Sequence, residues 1–430
     1  MELKRQQYLD KLISKKDNGR IKIITGIRRC GKSYLLFKLY KDYLLASGIT
    51  EDQIIEIALD DIDNIEYRNP FNLNDFIKGK IADNKKHYVF IDEIQFSIAV
   101  KNPYVDDEDE KITFIDILLS LMKKPNVDVY VTGSNSKMFS KEILTQFRDR
   151  GDEIHVYPLS FKEVSKNYTD LNKAWEEYKV FGGMPYIQSL ESIEDKSLYL
   201  KNLFDETYIK DILDRKKIKN KTEILNILLD FISSSIGSLS NPSKIANRFN
   251  SEMKINIKSE TVAKYLDFFE EAYVIASSKR YDIKGAKYFD TPLKYYFADI
   301  GLRNARLNFR QIEDTHIMEN IIFNDLIRRG FNVDVGTIED RHYVEKKLVR
   351  SSYEVDFIIN RGNLRYYIQS AYALPNQEKI DQERMSLLKI DDSFKKIIIV
   401  KDSIVPHYDE YGIYYIGLFD FLLQDEVLNI

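Results

Sequence analysis

Gly26-Ile27-Arg28-Arg29-Cys30-Gly31-Lys32-Ser33 follows the spacing G-x-x-x-x-G-K-[ST], and this run constrains the fold more than any other part of the chain. Glycines at both ends let backbone N–H groups turn inward around a phosphate chain with no side chain in the way. The flanks fit the motif. Arg20–Thr25 reads as a buried strand, and Ser33-Tyr34-Leu35-Leu36-Phe37-Lys38-Leu39-Tyr40 as an apolar-faced helix. Strand, loop and helix in that order set phosphates at a helix N-terminus. The expected phosphate-contacting set is Gly26, Ile27, Arg28, Arg29, Cys30, Gly31, Lys32, Ser33 and Tyr34. Lys32 should reach the β- and γ-phosphates, and Ser33 should offer its hydroxyl to Mg²⁺.

A second motif follows at a suitable distance. His87-Tyr88-Val89-Phe90-Ile91-Asp92-Glu93 is an apolar strand ending in two carboxylates. In that order Asp92 holds Mg²⁺ and Glu93 polarises the attacking water. Val127–Thr132 is another buried strand, running into Gly133-Ser134-Asn135, and Ser134 or Asn135 is the candidate for positioning that water. Arg148 and Arg150 precede a fifth strand. From a neighbouring subunit either could reach the γ-phosphate; a surface ion pair with Asp149 or Asp152 is the alternative.

Strands near Ile21–Thr25, Ile54–Leu59, Tyr88–Ile91, Val127–Thr132 and Ile154–Val156 alternate with helical segments. That rhythm predicts an α/β fold with a mainly parallel sheet and helices on both faces. Asp60 and Asp61 fall at its carboxyl edge, where they serve either the nucleotide or a turn. Asp106-Asp107-Glu108-Asp109-Glu110 reads as a solvated acidic loop.

The expected divisions are an ATPase core over 1–156, a helical lid over 157–218 beside the nucleotide, a winged helix-turn-helix over 219–305 and a C-terminal α/β domain over 306–430. In the third, three helical segments precede two strands around Lys279–Lys287. From Lys244 to Arg310 there are thirteen Lys/Arg against eight Asp/Glu, although the whole chain carries a net charge of −4. Lys258, Lys264, Arg280, Lys284 and Lys287 are the candidate duplex-DNA contacts. Glu260, Asp267, Glu270 and Glu271 make the reading helix acidic, so a packing module remains the other reading.

The single cysteine, Cys30, excludes an internal disulfide and fits a reducing cytoplasm. Five scattered His with no Cys pair speak against zinc. No apolar run is long enough for a bilayer, so no membrane partner is expected. The first ten residues lack the apolar core of a signal peptide.

With these residues in view, the chain resembles prokaryotic AAA-type P-loop ATPases that carry a winged helix and a C-terminal domain of unknown function with a restriction-endonuclease-like core. The resemblance rests on Thr25–Ser33, Phe90-Ile91-Asp92-Glu93-Ile94-Gln95, Thr132-Gly133-Ser134-Asn135-Ser136, Tyr157-Pro158-Leu159-Ser160-Phe161, Phe181-Gly182-Gly183-Met184-Pro185 and Lys279-Arg280-Tyr281-Asp282. It implies ATP binding and hydrolysis with Mg²⁺. Homo-oligomers that share an arginine occur in such ATPases. The C-terminal segment resembles the order of a PD-(D/E)xK nuclease: Glu319 on a helix, Asp356 on a strand, then Gln369 at the acidic position and Ala371 at the lysine position. Gln369 brings no negative charge and Ala371 no ammonium, so the nuclease reading is of a retained fold without activity.

Three functions are therefore expected in order. The first is an ATPase whose hydrolysis switches the winged-helix and C-terminal domains. The second is a DNA-associated regulator gated by nucleotide. The third is an ATP-gated nuclease.

Overall fold

The computed structural model describes residues 3–134, 150–209, 212–213, 222–344 and 347–428 of the chain. Asn135 and Arg148 lie outside the described residues. The chain forms two compact units, Met1–Pro158 with Glu271–Tyr273, and Leu159–Glu270 with Val274–Ile430. The divisions expected at 218/219 and 305/306 fall inside the second.

The first unit is built on β1 (Ile21–Thr25), β2 (Ile54–Ala58), β3 (His87–Asp92), β6 (Val127–Thr132) and β7 (Gly151–His155), in the order β2-β3-β6-β1-β7. Every neighbouring pair is parallel, as the strand–helix rhythm implied. These strands are rich in β-branched residues and nearly continuous in apolar character, as suits a sheet covered on both faces. One face packs Ile21, Ile23, Ile57, Val89, Ile91 and Val131 against Leu73 and Ile77 of helix Pro70–Lys80 and Leu118 and Leu121 of helix Phe114–Met122. On the other, Tyr40 and Phe90 gather around Tyr130, with ring centroids 4.9 and 5.4 Å from it. Lys22, fully buried in β1, pairs with the equally buried Asp128 of β6. Each charge needs the other there, because a lone buried ion would be strongly destabilising. β4 (Val100–Lys101) and β5 (Lys111–Ile112) form a small antiparallel hairpin. It carries the acidic run 106–110, which is exposed as expected.

The second unit begins with short helices at Phe161–Ser165, Leu171–Phe181 and Ile193–Asn202. Helices Thr222–Ser234, Pro242–Glu252 and Ser259–Glu271 follow, with β8 (Leu239–Ser240) after the first of them. The chain then enters β9 (Ile275–Asp282), β10 (Lys287–Phe297), β11 (Asn332–Val344), β12 (Lys347–Arg361), β13 (Leu364–Ala371), β14 (Lys395–Val400), β15 (His407–Tyr408) and β16 (Tyr414–Gly417). With β8 these make one nine-stranded sheet in the order β15-β16-β14-β13-β12-β11-β9-β10-β8. The hairpin strands are longer than the sequence suggested, so Lys279 and Arg280 sit within β9 and the turn is confined to 283–286. β9 is not an edge. It pairs in parallel with β11, Arg280 opposite Val335.

The Phe181–Pro185 segment has a packing reason. Gly183 N–H donates to Asp299 Oδ2 at 2.6 Å, and Gly183 C=O accepts from Leu159 N–H at 2.7 Å. Asp299 also caps helix Ile300–Arg306 through Leu302 N–H at 3.1 Å. Burial pushes its carboxyl up to about 6, against the pull of these backbone donors. A carboxyl raised above its ordinary value stabilises the fold most when protonated, and this contribution is lost as pH rises from about 4 to about 6. Asp299→Asn removes the ionisation. Its stability deficit relative to wild type should therefore shrink between pH 4 and pH 7, read as urea midpoints. A deficit constant with pH would show that Asp299 does not titrate in that range.

Among the described residues, no helix is long and apolar enough to cross a membrane.

Candidate functional site

The site lies at the carboxyl edge of the five-stranded sheet. After β1 the chain turns through Gly26 at φ 139°, Arg29 at φ 64° and Gly31 at φ 97°. It then enters a continuous helical segment made of Lys32–Tyr34, a π-helical stretch Leu35–Tyr40, and Lys41–Ala46. Gly26 has no alternative here, because a Cβ on it would come within 2.2 Å of the Val156 carbonyl oxygen. Cys30 is buried and donates its thiol to that same carbonyl at 3.2 Å. Burial raises its pKa, so it is a packed, unreactive thiol.

Lys32 is almost wholly buried. Its ammonium donates to the carbonyls of Gly26 and Ile27 at 3.0 and 3.1 Å, so the charge is held inside the loop. Ser33 and Tyr34 open the helix on its exposed side.

Thr132, the last residue of β6, organises the two acidic residues. Its hydroxyl donates to Asp92 Oδ1 and accepts from Glu93 N–H at 3.0 Å. Glu93 adopts a left-handed backbone, φ 51°, which turns its side chain out of the strand sequence toward Gln95 and Ser134. Gln95 donates to Glu93 Oε2, and Ser134 Oγ lies 3.4 Å from that oxygen. Burial raises the Glu93 pKa. Lys32 and Arg28 oppose this, while Asp92 and Asp60 reinforce it. Such a carboxyl is a better proton acceptor than an exposed glutamate once it is ionised.

Beneath the loop, Thr25 Oγ1 donates to Glu153 at 2.7 Å and lies 2.9 Å from His155 Nδ1. The hydroxyl has one proton, so the imidazole Nδ1 carries its own and donates back. Burial first, then the charges of Lys32 and Lys11, hold His155 down at about 3. It is a neutral support for the loop.

The spacing singles out Lys32, Asp92 and Glu93 as candidates, and all three lie at this carboxyl edge, where the charges of Lys32 and Asp92 act on Glu93. The spacing did not reveal the roles of Thr132, Gln95 or His155. A polar residue closing the strand beside the acidic one is the signal that could have pointed to Thr132. Arg150 lies at the opposite, amino edge of the sheet, where its carbonyl accepts from Ile21 N–H at 3.0 Å, so it is remote from its own loop.

Hard oxygen donors at Ser33 and Asp92 suit Mg²⁺, which takes few protein ligands and completes its shell with phosphate and water. Among the described residues, no group of three or more His, Cys, Asp or Glu is arranged to hold a metal ion on its own.

Residues 18–165 match a family described as an AAA domain, and residues 172–313 match a domain of unknown function, DUF8612. An uncharacterized protein of Haemophilus influenzae is 33% identical over 98% of this chain and 99% of its own length. The chain belongs to the same family. The uncharacterized protein MJ1544 of Methanocaldococcus jannaschii is 31% identical over 90% of this chain and 83% of its own. The Aeropyrum pernix ORC1 protein, solved in complex with DNA, covers 72% of this chain and 93% of its own at 12% identity and a TM-score of 0.29. That overlap is too low to bear on function. The match over residues 18–165 places an AAA domain at the amino end.

The other candidates fall in the second unit. Lys264 on helix Ser259–Glu271, Lys284 in the hairpin turn and Lys287 at the start of β10 are exposed. Arg280 is half-buried, with Nε donating to Thr337 Oγ1 at 3.2 Å and its guanidinium over Phe289. Of the four, it is the one tied into the sheet. Glu319 and Asp356 come together around Lys294. Gln369 turns elsewhere: its amide donates to Glu383 at 3.3 Å and its oxygen faces the Asp356 N–H at 3.4 Å. Ala371 is buried in the apolar core.

Proposed function

We propose that the AAA domain binds ATP with Mg²⁺ and hydrolyses it, and that nucleotide state is read out by the second unit. The observation that carries this is the convergence of Lys32, Asp92 and Glu93 at one sheet edge, with Thr132 bonded to both acidic residues. Gly26 to Ser33 would cradle the phosphates, with Lys32 exchanging its two loop carbonyls for phosphate oxygens. Ser33 and Asp92 would hold Mg²⁺, which neutralises phosphate charge when bound. Glu93 would take a proton from the attacking water. The test is steady-state ATP turnover by purified protein. Turnover should be saturable and Mg²⁺-dependent. Its absence at every protein concentration would overturn the reading. A rate per subunit that climbs with protein concentration would support an arginine donated in trans, with Arg150 as the described candidate.

A second reading concerns residues 222–297. Three helices, β8 and the β9–β10 hairpin follow one another in the order of a winged helix, and β10 lies between β8 and β9. We infer a winged helix fused by β9 to the C-terminal sheet, with Lys284 and Lys287 exposed at the hairpin tip as duplex-DNA contacts. Reversing both to Glu should weaken salt-sensitive duplex binding by about tenfold or more at low salt. Binding that is unchanged by the reversal would leave the domain as a packing module.

A further inference from the structure

Lys294 lies on β10 with its side chain 3% exposed. Its ammonium meets three carboxylates: Glu354 Oε1 at 2.7 Å, Glu319 Oε1 at 2.9 Å and Asp356 Oδ1 at 3.6 Å. They come from two separate parts of the fold. Glu319 is on helix Asp314–Arg328, and Glu354 and Asp356 are two residues apart on β12. Two of the three are further fixed. Glu319 Oε1 accepts from the Tyr296 hydroxyl at 2.7 Å, and Asp356 Oδ2 accepts from Ser370 N–H at 2.9 Å.

Carboxylates collected from a helix and a strand repel one another unless a cation sits among them. Divalent metal ions commonly do this, with oxygens drawn in to roughly 2.0–2.6 Å. Here the cation is a side chain of the same protein. A single ammonium offers three donors, and three carboxylate groups face it. Burial pulls its pKa down, but electrostatic interaction with Tyr296 first, and then with Glu319, Asp356 and Glu354, raises it well above the ordinary lysine value. Burial and the Glu319 charge lift the Asp356 carboxyl to about 7, with Lys294 opposing them. The cluster can therefore shed part of its excess negative charge by holding a proton.

We propose that the Lys294 ammonium is the built-in counter-ion of Glu319, Glu354 and Asp356, which as they stand around it form no metal-holding group, making this cluster a metal-free ionic knot that ties the β9–β10 hairpin to the C-terminal strands. Only with the ammonium removed would the three carboxylates draw together on a divalent cation. A tethered cation cannot exchange with solution, so the C-terminal core would neither need nor admit a metal there. The lysine arrives from a strand far from position 371, where the nuclease-like order would have placed one. It sits at the carboxylates themselves, hydrogen-bonded to Glu319 and ion-paired with Glu354 and Asp356. This inference is independent of the nucleotide reading.

The test is Mn²⁺ binding by electron paramagnetic resonance, with full-length, nucleotide-free protein. Wild type and Asp356→Asn should bind Mn²⁺ alike. Lys294→Met removes the charge and keeps the length. It should gain one Mn²⁺ site at least about tenfold tighter than any in wild type, and lose it again when Asp356→Asn is added. Its melting temperature should rise with Mn²⁺ while that of wild type does not. Loss of Mn²⁺ binding in the Asp356→Asn single variant would overturn the proposal, as would a folded Lys294→Met that gains no site. Should Lys294→Met alone not fold, the charge-neutral variant Lys294→Met/Glu319→Gln/Glu354→Gln/Asp356→Asn should fold. Failure of that variant too would show that Lys294 acts by packing, and the proposal would fall.

Discussion

Lys32→Ala is expected to lower ATP turnover by at least about a hundredfold and to weaken nucleotide binding with it. The ammonium is already inside the loop, held by the Gly26 and Ile27 carbonyls. It is thus pre-positioned for phosphate without a change in the backbone. Glu93→Gln should differ in kind. Glutamine keeps the size of the side chain and can still bond Gln95 and Ser134, but it cannot accept a proton. Turnover should fall by roughly 10²–10⁴-fold, with the affinity for a fluorescent ATP analogue close to that of wild type. Paired measurements of binding and turnover separate the two roles. Wild-type turnover in both variants would remove these residues from the chemistry, and loss of binding in Glu93→Gln would make it a structural residue of the loop.

The largest effect on stability is expected at Gly183→Ala. A Cβ there would lie 2.0 Å from the Leu159 carbonyl oxygen and 3.1 Å from its nitrogen. Neither is a flexible side-chain end. Relief requires the backbone to separate, which breaks the Leu159 N–H to Gly183 C=O bond and pulls Gly183 N–H away from the buried Asp299. Two lost hydrogen bonds and the steric strain together should cost about 3–5 kcal/mol, read as a fall in the urea midpoint or as insoluble expression. A midpoint within experimental error of wild type would mean that the turn is free to relax. Gly330→Ala is a useful control, since no atom lies within 4 Å of a Cβ there and the strain is that of its backbone alone.

The two effects illustrate how differently sequence and structure inform. The phosphate loop is legible from residues because its function needs consecutive backbone groups in one conformation, and the residues that permit this are fixed in spacing. The same holds for β3, where an apolar strand stops at Asp92-Glu93. The Phe181–Pro185 segment is one of the stretches that carry the resemblance, but its partner Asp299 is over a hundred residues away. No local pattern could announce that pairing.

The second unit shows the limit more clearly. The helices and hairpin of residues 222–297 were visible as elements, and so were Glu319 and Asp356. Their periodicity reports which face of each element is apolar. It does not report which edge of a strand finds a neighbour. The hairpin was therefore expected to stand as a wing, whereas β9 pairs with β11 and runs on into the C-terminal sheet. That pairing brings Lys294 to Glu319, Glu354 and Asp356, and so decides the chemistry of the cluster.

From sequence alone follow the parallel sheet, the glycine-bounded loop after β1, the acidic strand end and the choice of Lys32, Asp92 and Glu93 as candidate site residues, because each depends on short-range spacing. Tertiary structure alone decides the bonding of Thr132 to both acidic residues, the support of the loop by His155, the docking of Gly183 on Asp299 and the cation held by the C-terminal carboxylates. These depend on hydrogen bonds and ion pairs between strands and helices distant in the chain, and such pairs form only when the backbone edges and buried faces have already found one another.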